Sequence, residues 1–523
     1  MANSIDMSLD QEKVLVIGLD GADFKFIQPL IEKNRLPNLA RFIQQSAYSK
    51  LATTTPPISP SAWTSFSTGK LPSKHGIYDF SYSDNDPFKN SRILNSTHIK
   101  CKTIWELLSE ARKTSIILDV PLQYPPVSIN GIMISRFLSE SMPKSFYPSG
   151  LYRNLRQNGF DLLDSSLWLS GLGRHWTLRN HLRSIEDKVS LVEYLNKAKP
   201  WDLFIVIFHD IDIACHLDWS NLKKIEAIYE KLDWAIGQIF KFVGNGAVKF
   251  IISDHGFCQV KAEININELL FQLGYLSKAM SRKELIYFLK SGRTKKVVKI
   301  KGRDAKRKIN YKYDPLCSRA YCNSQLKYGI NINLIGRDTK GQIRLDNYDK
   351  VCQEIVMKLR ETRDPDTKEN LFDIVWQNNL AVKHKSKDFP PDIYFIPHKM
   401  KYTITCPIIK DTKSYVTKIH KRSGFHDLYG IFIALGKYIK RGKLNNIPSL
   451  VDLAPTILHI LRVPIPYDLD GKILSGIFLE NSPILKTQPE FQRSSAINRK
   501  AYKIDGEKQK RIFGQLKKLG YIR

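Results

Sequence analysis

The stretch that decides the fold is 14–21, which reads VLVIGLDG. An apolar run without polar alternation is typical of a strand buried on both faces of a parallel sheet. This run ends in Asp20 and Gly21. Open α/β sheets bind their ligands outside the carboxyl ends of the strands. The acid at position 20 is therefore a candidate functional residue as well as a marker of the fold.

The same arrangement recurs along the first half of the chain. Apolar runs of strand length occur at 115–120, 202–208 and 248–253, and helical patterns occur at 24–45, 103–111 and 221–243. Strands that alternate with helices indicate a mostly parallel sheet. The sequence therefore predicts an α/β fold whose mostly parallel central sheet is flanked by helices.

The pattern changes after about residue 263, where short strand-like runs and loops replace the alternation until about residue 419. We therefore predict an insertion or cap within a catalytic core, followed by a basic tail that ends in a helix. The predicted divisions are 14–262 for the first part of the core, 263–420 for the basic cap, 421–481 for the second part of the core and 482–523 for the tail.

The net charge of +30 across 523 residues favours anionic partners such as nucleic acid, anionic lipid or phosphorylated small molecules. The stretch 278–312 has fourteen Lys/Arg and two acids, a net charge of +12. It could attract a polyanionic substrate, or it could be a solvated surface of the cap. No nucleic-acid-binding signature accompanies it. Charge alone leaves these anionic partners open, with a phosphorylated substrate, polyanions included, among them.

The cysteines and the apolar runs bear on the compartment and on membrane association. The seven cysteines have no paired spacing, and residues 1–13 lack the apolar segment of a secretory signal. No apolar run reaches the roughly 18 residues that a membrane helix needs. We therefore expect reduced thiols, no transmembrane segment and a cytoplasmic location. The sequence leaves the oligomeric state open.

Carboxylates and histidines cluster where predicted strands end. The candidates are Asp20, Asp212, His216, Asp254, His255 and His426. Each alone could be structural, because a single Asp can cap a helix and a single His commonly serves as a hydrogen-bonded core residue. Strand ends of one sheet meet at one edge, however, so the set favours a metal site. Carboxylate and imidazole ligands suit zinc or manganese, and two cations roughly 4 Å apart suit phosphoryl transfer.

A series of ordered motifs carries a family resemblance. They are 16–21 (VIGLDG), 56–69 (PPISPSAWTSFSTG), 72–76 (PSKHG), 253–257 (SDHGF), 336–338 (GRD), 363–365 (RDP), 391–392 (PD), 451–456 (VDLAPT) and 519–521 (LGY). In these motifs the chain resembles the type I phosphodiesterase/nucleotide pyrophosphatase branch of the alkaline phosphatase superfamily. The resemblance covers roughly residues 14 to 523 and implies an alkaline phosphatase-like core.

The resemblance also implies a site and a reaction. Its nucleophile corresponds to Ser59, which would form a phosphoseryl intermediate between two divalent cations, with zinc expected and manganese as the alternative. One cation would be held by Asp20, Ser59, Asp254 and His255, and the other by Asp212, His216 and His426. His75 matches a family His-Gly motif that we interpret as structural. Lys74 and Arg337 are candidate phosphate contacts.

Three positions depart from the family pattern. Nucleotide pyrophosphatases have an Asn where this chain has Phe80, which argues against that particular activity. The Pro that usually lies two residues after the nucleophile is displaced to Pro60. Cys258 replaces a small residue beside the 253–257 motif.

The sequence therefore predicts a metal-dependent hydrolase of phosphate esters, and of phosphodiesters in particular. Two alternatives stay open. A phosphomonoesterase or a phosphotransferase/mutase could use the same scaffold, and a basic binding protein could retain the fold without turnover. The complete ligand set and Ser59 argue against the binding protein.

Overall fold

The computed structural model describes most of the chain. The described residues are 12–82, 92–160, 177–279, 312–323, 328–338, 340–379, 390–406, 414–495, 497 and 499–518. The predicted basic stretch 278–312 lies outside them except at its two ends, so its role stays a prediction.

The described residues form two compact units. Unit 1 comprises described residues within 1–81, 92–259 and 423–523, and unit 2 comprises those within 82–91 and 260–422. All the residues predicted to bind metal, together with Ser59, belong to unit 1.

Unit 1 is built on a nine-stranded sheet. Its strands are β1 (Lys13–Leu19), β2 (Ala47–Ala52), β3 (Ser115–Leu118), β4 (Gly131–Ile134), β5 (Phe146–Tyr147), β6 (Leu203–Phe208), β7 (Ala247–Ile252), β8 (Tyr429–Leu435) and β9 (Gly442–Lys443). Their order across the sheet is β9-β2-β8-β7-β1-β6-β3-β4-β5. β1, which contains the apolar run that begins at Val14, is therefore the central strand.

The middle of this sheet is parallel. β1 pairs in parallel with β6 and with β7, so that Val14 lies between Leu203 and Val248. β3 pairs in parallel with both β6 and β4, whereas β8 runs antiparallel to β7 and β2. The mostly parallel α/β sheet predicted from sequence is confirmed. The carboxyl ends of β1, β6 and β7 consequently lie side by side.

Twelve α-helices are described in unit 1. They are α1 (Phe24–Glu32), α2 (Pro37–Gln44), α3 (Ser59–Thr68), α4 (Pro72–His75), α5 (Ile104–Glu110), α6 (Leu151–Gln157), α7 (Leu178–Ala198), α8 (Asp210–Asp218), α9 (Leu222–Val243), α10 (Leu453–Ile460), α11 (Pro483–Lys486) and α12 (Gly506–Lys518). The helical pattern at 24–45 forms two helices. α1 ends at Glu32, Asn34 has a φ of +57°, and Pro37 begins α2, where a missing N–H costs least. None of the described helices is both long and apolar enough to cross a bilayer.

The sheet has an apolar layer on each face. Leu15 and Ile17 belong to a core with residues of α1, α2, α7 and α9, whereas Val14 and Val16 belong to a core with residues of α3, α5 and α10. Successive side chains of a strand point to opposite faces, which explains this division. Burial on both faces accounts for the continuous apolar run of β1.

Unit 2 contains a four-stranded antiparallel sheet. Its strands lie in the order Ala320–Tyr321, Gly329–Ile332, Ile393–Pro397 and Phe372–Gln377. Further strands are Lys278–Ala279, Lys312–Tyr313 and Tyr402–Thr405, and Gly256–Asn265 and Val416–Asp427 run across the unit boundaries.

Two helices of unit 2, Ile266–Gln272 and Tyr348–Glu361, were not predicted. Short strands and loops were expected throughout this region, and the longer helix corrects that expectation. One of its faces is buried through Val351, Ile355 and Leu359, at helical spacing. The sequence shows this period, because charged residues occupy the positions between the apolar ones as they do on the solvent face of an amphipathic helix.

Candidate active site

The six predicted metal ligands converge at the carboxyl edge of the unit 1 sheet. Asp20 follows β1, Asp254 and His255 follow β7, and α8, which carries two more, begins two residues after β6. His426 lies on the strand Val416–Asp427. The buried ligand side chains include Asp20, Asp212, Asp254, His255 and His426, each at 0% exposure. Parallel strands thus bring together residues that are distant in sequence.

Ser59 is the first residue of α3 and is fully buried. Its Oγ lies 3.2 Å from His255 Nε2 and 3.4 Å from Asp20 Oδ1. The partial positive charge at a helix N-terminus favours a negative charge at this position. The serine therefore lies within the predicted ligand cluster.

One group of ligand atoms comprises Asp20, Asp254 and His255, whose atoms all lie within 4.8 Å of one another. His255 Nε2 is 3.3 Å from Asp254 Oδ2 and 3.7 Å from Asp20 Oδ1. Gly21 donates its backbone N–H to Asp254 Oδ1 at 3.3 Å. It has a φ of +75°, and a Cβ there would meet the Phe257 ring at 2.9 Å, so this close turn requires glycine.

A second group is centred on Asp212 Oδ1. This oxygen lies 3.3 Å from His216 Nε2 and 3.4 Å from His426 Nε2. Asp212 and His216 are four residues apart on α8, a spacing that places both on one helix face. His255 also approaches Asp212, at 4.0 Å, and therefore lies between the two groups.

The outward nitrogens of two histidines are occupied by backbone carbonyls. His426 Nδ1 donates to Pro57 O at 2.6 Å, and His255 Nδ1 donates to Gly256 O at 3.1 Å. Because each ring carries its hydrogen on Nδ1, its Nε2 lone pair faces the carboxylates. Metal-ligating histidines are oriented in this way by hydrogen bonds from the other ring nitrogen.

The electrostatics of the cluster fit divalent cations. Burial, and then the nearby charges of Asp20 and Asp212, raise the pKa of Asp254 well above its ordinary value. Burial lowers the pKa of His255 and of His426. Among the described residues, Asp254 Oδ2 has no hydrogen-bond partner although it is buried. Buried carboxylates beside neutral imidazoles are a donor set for a cation, which would relieve their repulsion.

The other predicted residues have partners of their own. His75 is fully buried between Ser65 Oγ, 2.8 Å from its Nε2, and the backbone N–H of Ile77, which donates to its Nδ1. Lys74 Nζ donates to Asp470 Oδ1 at 2.5 Å. These contacts are structural ones, and a phosphate contact by Lys74 stays a prediction.

Arg337 lies in unit 2, where its guanidinium binds the Asp392 carboxylate through Nη1 at 2.9 Å and through Nη2 at 2.6 Å. Tyr348 donates to the same carboxylate at 2.7 Å. This buried cluster accounts for two of the resemblance motifs, 336–338 and 391–392, as parts of one structural contact. A phosphate contact by Arg337 stays a prediction.

The structure shows the surroundings of the three residues that depart from the family pattern. Phe80 is fully buried in an apolar cluster with Phe137 and Ile512, so it offers no hydrogen bond to a ligand. Pro60 occupies the first turn of α3, where a missing N–H costs least. Burial raises the pKa of the Cys258 thiol to about 12, which opposes reactivity.

Two residues that contact the site were not singled out from the sequence. His209 Nδ1 lies 2.9 Å from Asp20 Oδ2, and Trp63 Nε1 donates to the same oxygen at 3.3 Å. His209 had one detectable signal, because it is the residue that directly follows β6. Trp63 lies within a motif of the resemblance, but nothing in the motif indicates a contact with Asp20.

Comparisons with known proteins agree with this architecture. A search of curated protein sequences found no match. Phosphonoacetate hydrolase from Sinorhizobium meliloti 1021, solved with phosphonoformate, is 12% identical with a TM-score of 0.52 and covers 87% of this chain and 96% of its own. Wild-type alkaline phosphatase PafA is 14% identical with a TM-score of 0.51, covering 90% and 100%.

Murine ectonucleotide pyrophosphatase/phosphodiesterase 5, in an inactive form in complex with AMP, is 14% identical with a TM-score of 0.49, covering 86% of this chain and 95% of its own. At these identities the structures of phosphonoacetate hydrolase and PafA show the fold alone. The family comparison goes further, since residues 14–426 match the type I phosphodiesterase/nucleotide pyrophosphatase family. The chain therefore belongs to the type I phosphodiesterase/nucleotide pyrophosphatase family, within the alkaline phosphatase superfamily.

Proposed function

We propose that this protein is a two-metal hydrolase of phosphate esters, with phosphodiesters as its substrates and Ser59 as its nucleophile. The observation that carries the proposal is the position of Ser59 Oγ, 3.2 Å from His255 Nε2 and 3.4 Å from Asp20 Oδ1. The Ser59 hydroxyl is therefore surrounded by nitrogen and oxygen atoms that can bind a metal, and Ser59 itself is the first residue of α3. Family membership supports the same class of reaction.

The residues divide into two ligand sets. Asp20, Asp254 and His255 would hold one cation with Ser59, and Asp212, His216 and His426 would hold the other. Zinc or manganese suits these donors. When bound, two such cations would neutralise phosphoryl oxygens and lower the pKa of the Ser59 hydroxyl.

The chain's own groups then account for two chemical steps. Ser59 Oγ attacks phosphorus, a P–O bond forms, and the bond to the leaving alcohol breaks as that alcohol takes up a proton. Water next attacks the phosphorus of this seryl phosphodiester, the bond to Ser59 Oγ breaks as Oγ takes up a proton, and the phosphate monoester of the second alcohol is released. A covalent intermediate of this kind divides one difficult displacement into two easier ones. The N-terminus of α3 favours the charge that develops beside Ser59.

The proposed substrate class follows from Phe80. The nucleotide pyrophosphatases that this chain resembles have an Asn at position 80. In this chain the position is Phe80, which is buried among apolar side chains such as Phe137. The contact to a phosphoryl oxygen that this Asn makes in nucleotide pyrophosphatases is therefore not available from the side chain at position 80. This favours simple phosphodiesters over nucleotide pyrophosphates.

A panel of chromogenic esters tests the proposal. Bis-p-nitrophenyl phosphate, p-nitrophenyl phosphate, p-nitrophenyl sulfate and a nucleotide p-nitrophenyl ester would be assayed with Zn²⁺ or Mn²⁺. We expect the highest kcat/KM on the simple diester. Preference for the monoester would indicate the phosphomonoesterase alternative, and alcohol-dependent product would indicate phosphotransfer. No turnover of any ester with either metal would contradict the proposal.

A further inference from the structure

His209 is the residue between β6 and α8, at the N-cap position of α8. Its side chain does not cap the helix. Both ring nitrogens are engaged elsewhere: Nδ1 lies 2.9 Å from Asp20 Oδ2, and Nε2 donates to the backbone carbonyl of Asp119 at 2.9 Å. The ring is 6% exposed and lies against the Phe137 ring at a centroid distance of 4.6 Å. His209 therefore links Asp20, a predicted metal ligand, to the backbone of Asp119.

Asp119 directly follows β3, and its side chain is held in place by two cationic residues. Its carboxylate accepts from Arg136 Nε at 3.0 Å and pairs with Lys188 Nζ at 3.1 Å. Although burial opposes ionisation, the charges of Arg136 and Lys188 lower the pKa of Asp119 below its ordinary value. Its φ of 58° lies in the left-handed region, which these anchors must hold. The backbone carbonyl that accepts the hydrogen bond from His209 Nε2 therefore belongs to Asp119, whose side chain is held by Arg136 and Lys188.

The two oxygens of Asp20 have different surroundings. Oδ2 accepts from Trp63 Nε1 at 3.3 Å and lies 2.9 Å from His209 Nδ1, which donates to it when the ring carries a hydrogen on both nitrogens. Oδ1 faces Ser59 Oγ at 3.4 Å and His255 Nε2 at 3.7 Å. The ring nitrogens of Trp63 and His209 therefore hold Oδ2 of Asp20, and Oδ1 is directed toward the ligand cluster.

We infer that His209 is a positioning residue which, together with Trp63, makes Asp20 a one-oxygen ligand through Oδ1. The inference rests on the proposed metal site and adds the group that orients its first ligand. A carboxylate free to rotate could bind a cation through either oxygen or both, and the cation would move relative to Ser59 Oγ. Hydrogen bonds to ligands from such outer residues typically account for about 10- to 100-fold in metal affinity.

Two substitutions separate the two hydrogen bonds of His209. The amide nitrogen of Asn corresponds in reach to Nδ1, and that of Gln corresponds to Nε2. His209→Asn keeps a donor for Asp20 and loses the Asp119 carbonyl, whereas His209→Gln does the reverse. His459→Gln is a matched control, because His459 is also 6% exposed and its Nε2 donates to a backbone carbonyl, Ile484 O, at 2.9 Å.

The measurement is calorimetric titration of each chelator-treated, full-length variant with Zn²⁺, together with its thermal unfolding without metal. We expect His209→Gln to weaken one of two Zn²⁺ sites by about 10- to 100-fold. We expect His209→Asn to retain more of that affinity and His459→Gln to bind Zn²⁺ as the parent does. Both His209 variants should lose some thermal stability, because each lacks one buried hydrogen bond.

The outcomes distinguish this inference from the proposed function. A parent protein that binds neither Zn²⁺ nor Mn²⁺ would overturn the proposed function itself. A parent that binds two Zn²⁺ while His209→Gln binds both equally tightly would overturn the positioning role alone. Equal weakening by the Asn and Gln variants would also overturn it, since a merely structural histidine predicts no difference between them. If His209→Gln does not fold, Trp63→Phe removes the second donor to Asp20 Oδ2, and unchanged Zn²⁺ affinity in that variant would contradict the inference.

Discussion

His216 Nε2 and His426 Nε2 lie 2.8 Å apart, although 210 residues separate them in the chain. The Nδ1 atom of His426 donates to Pro57 O, so its Nε2 lone pair is directed at His216. Asp212 Oδ1 lies 3.3 Å from the first of these nitrogens and 3.4 Å from the second. Three ligand atoms that meet at one point, each near the others, are an arrangement that a cation would complete.

We predict two divalent cations per chain. The two ligand groups have His255 between them and together provide six donor side chains. Elemental analysis of protein purified without chelator should find about two Zn or Mn atoms. Chelation should abolish ester hydrolysis, and added Zn²⁺ or Mn²⁺ should restore it. A stoichiometry of zero or one that does not change on addition of either metal would count against the two-metal site.

Ser59→Ala should lower kcat by about three orders of magnitude or more, comparable to the loss of a nucleophile in other hydrolases. Ser67→Ala is the matched control, because Ser67 is buried on the same helix and its hydroxyl donates to Thr64 O at 3.0 Å. Ser61→Ala tests the position of the loop, since Pro60 is displaced from the family pattern. Steady-state kinetics on the best ester would show loss only for Ser59→Ala. Loss in Ser61→Ala with activity retained in Ser59→Ala would assign the nucleophile to position 61.

Asp254→Asn should make the metal-free protein more stable and the metal-loaded protein less so. Burial and the charges of Asp20 and Asp212 raise the pKa of Asp254, which shows that the carboxylate is unfavourable there without a cation. An amide could keep the Gly21 N–H bond and donate to Asp20. Thermal unfolding with chelator and with excess Zn²⁺ would measure both effects. A metal-free variant that melts well below the parent would contradict this explanation.

We predict that the free energy of unfolding decreases as the pH falls below about 6.5, and that His75 causes part of this decrease. Burial lowers the pKa of His75 to about 3 from its ordinary 6.5. Between these values the unfolded chain binds a proton that the folded chain does not, so the free energy of unfolding decreases as pH falls. The slope for one such group approaches about 1.4 kcal/mol per pH unit.

Urea unfolding at pH 7 and at pH 5 would measure this contribution. The parent should lose about 2 kcal/mol more than His75→Gln over that interval. Both proteins would be measured in chelator, so that metal binding does not contribute. Equal pH dependence in the two proteins would show that His75 is not kept neutral by the fold.

Much of the site could be predicted because its residues follow strands that the sequence identifies clearly. Asp20, Asp254 and His255 come directly after apolar runs, and parallel strands bring their carboxyl ends to one edge. The order of motifs also indicated the family. The basic stretch 278–312, the cytoplasmic location and the role of 263–420 as a cap stay predictions.

By itself the sequence determined the class of the core, since an apolar run such as β1 can be satisfied only when both faces of a strand are covered. It also determined which residue types were available as ligands. The tertiary structure alone decided that His209 and Trp63 share one oxygen of Asp20. It likewise decided that Asp119, held by two cationic side chains, supports His209. These contacts join separate strands and helices. No local pattern or period encodes them, because they depend on where the packed elements place each side chain.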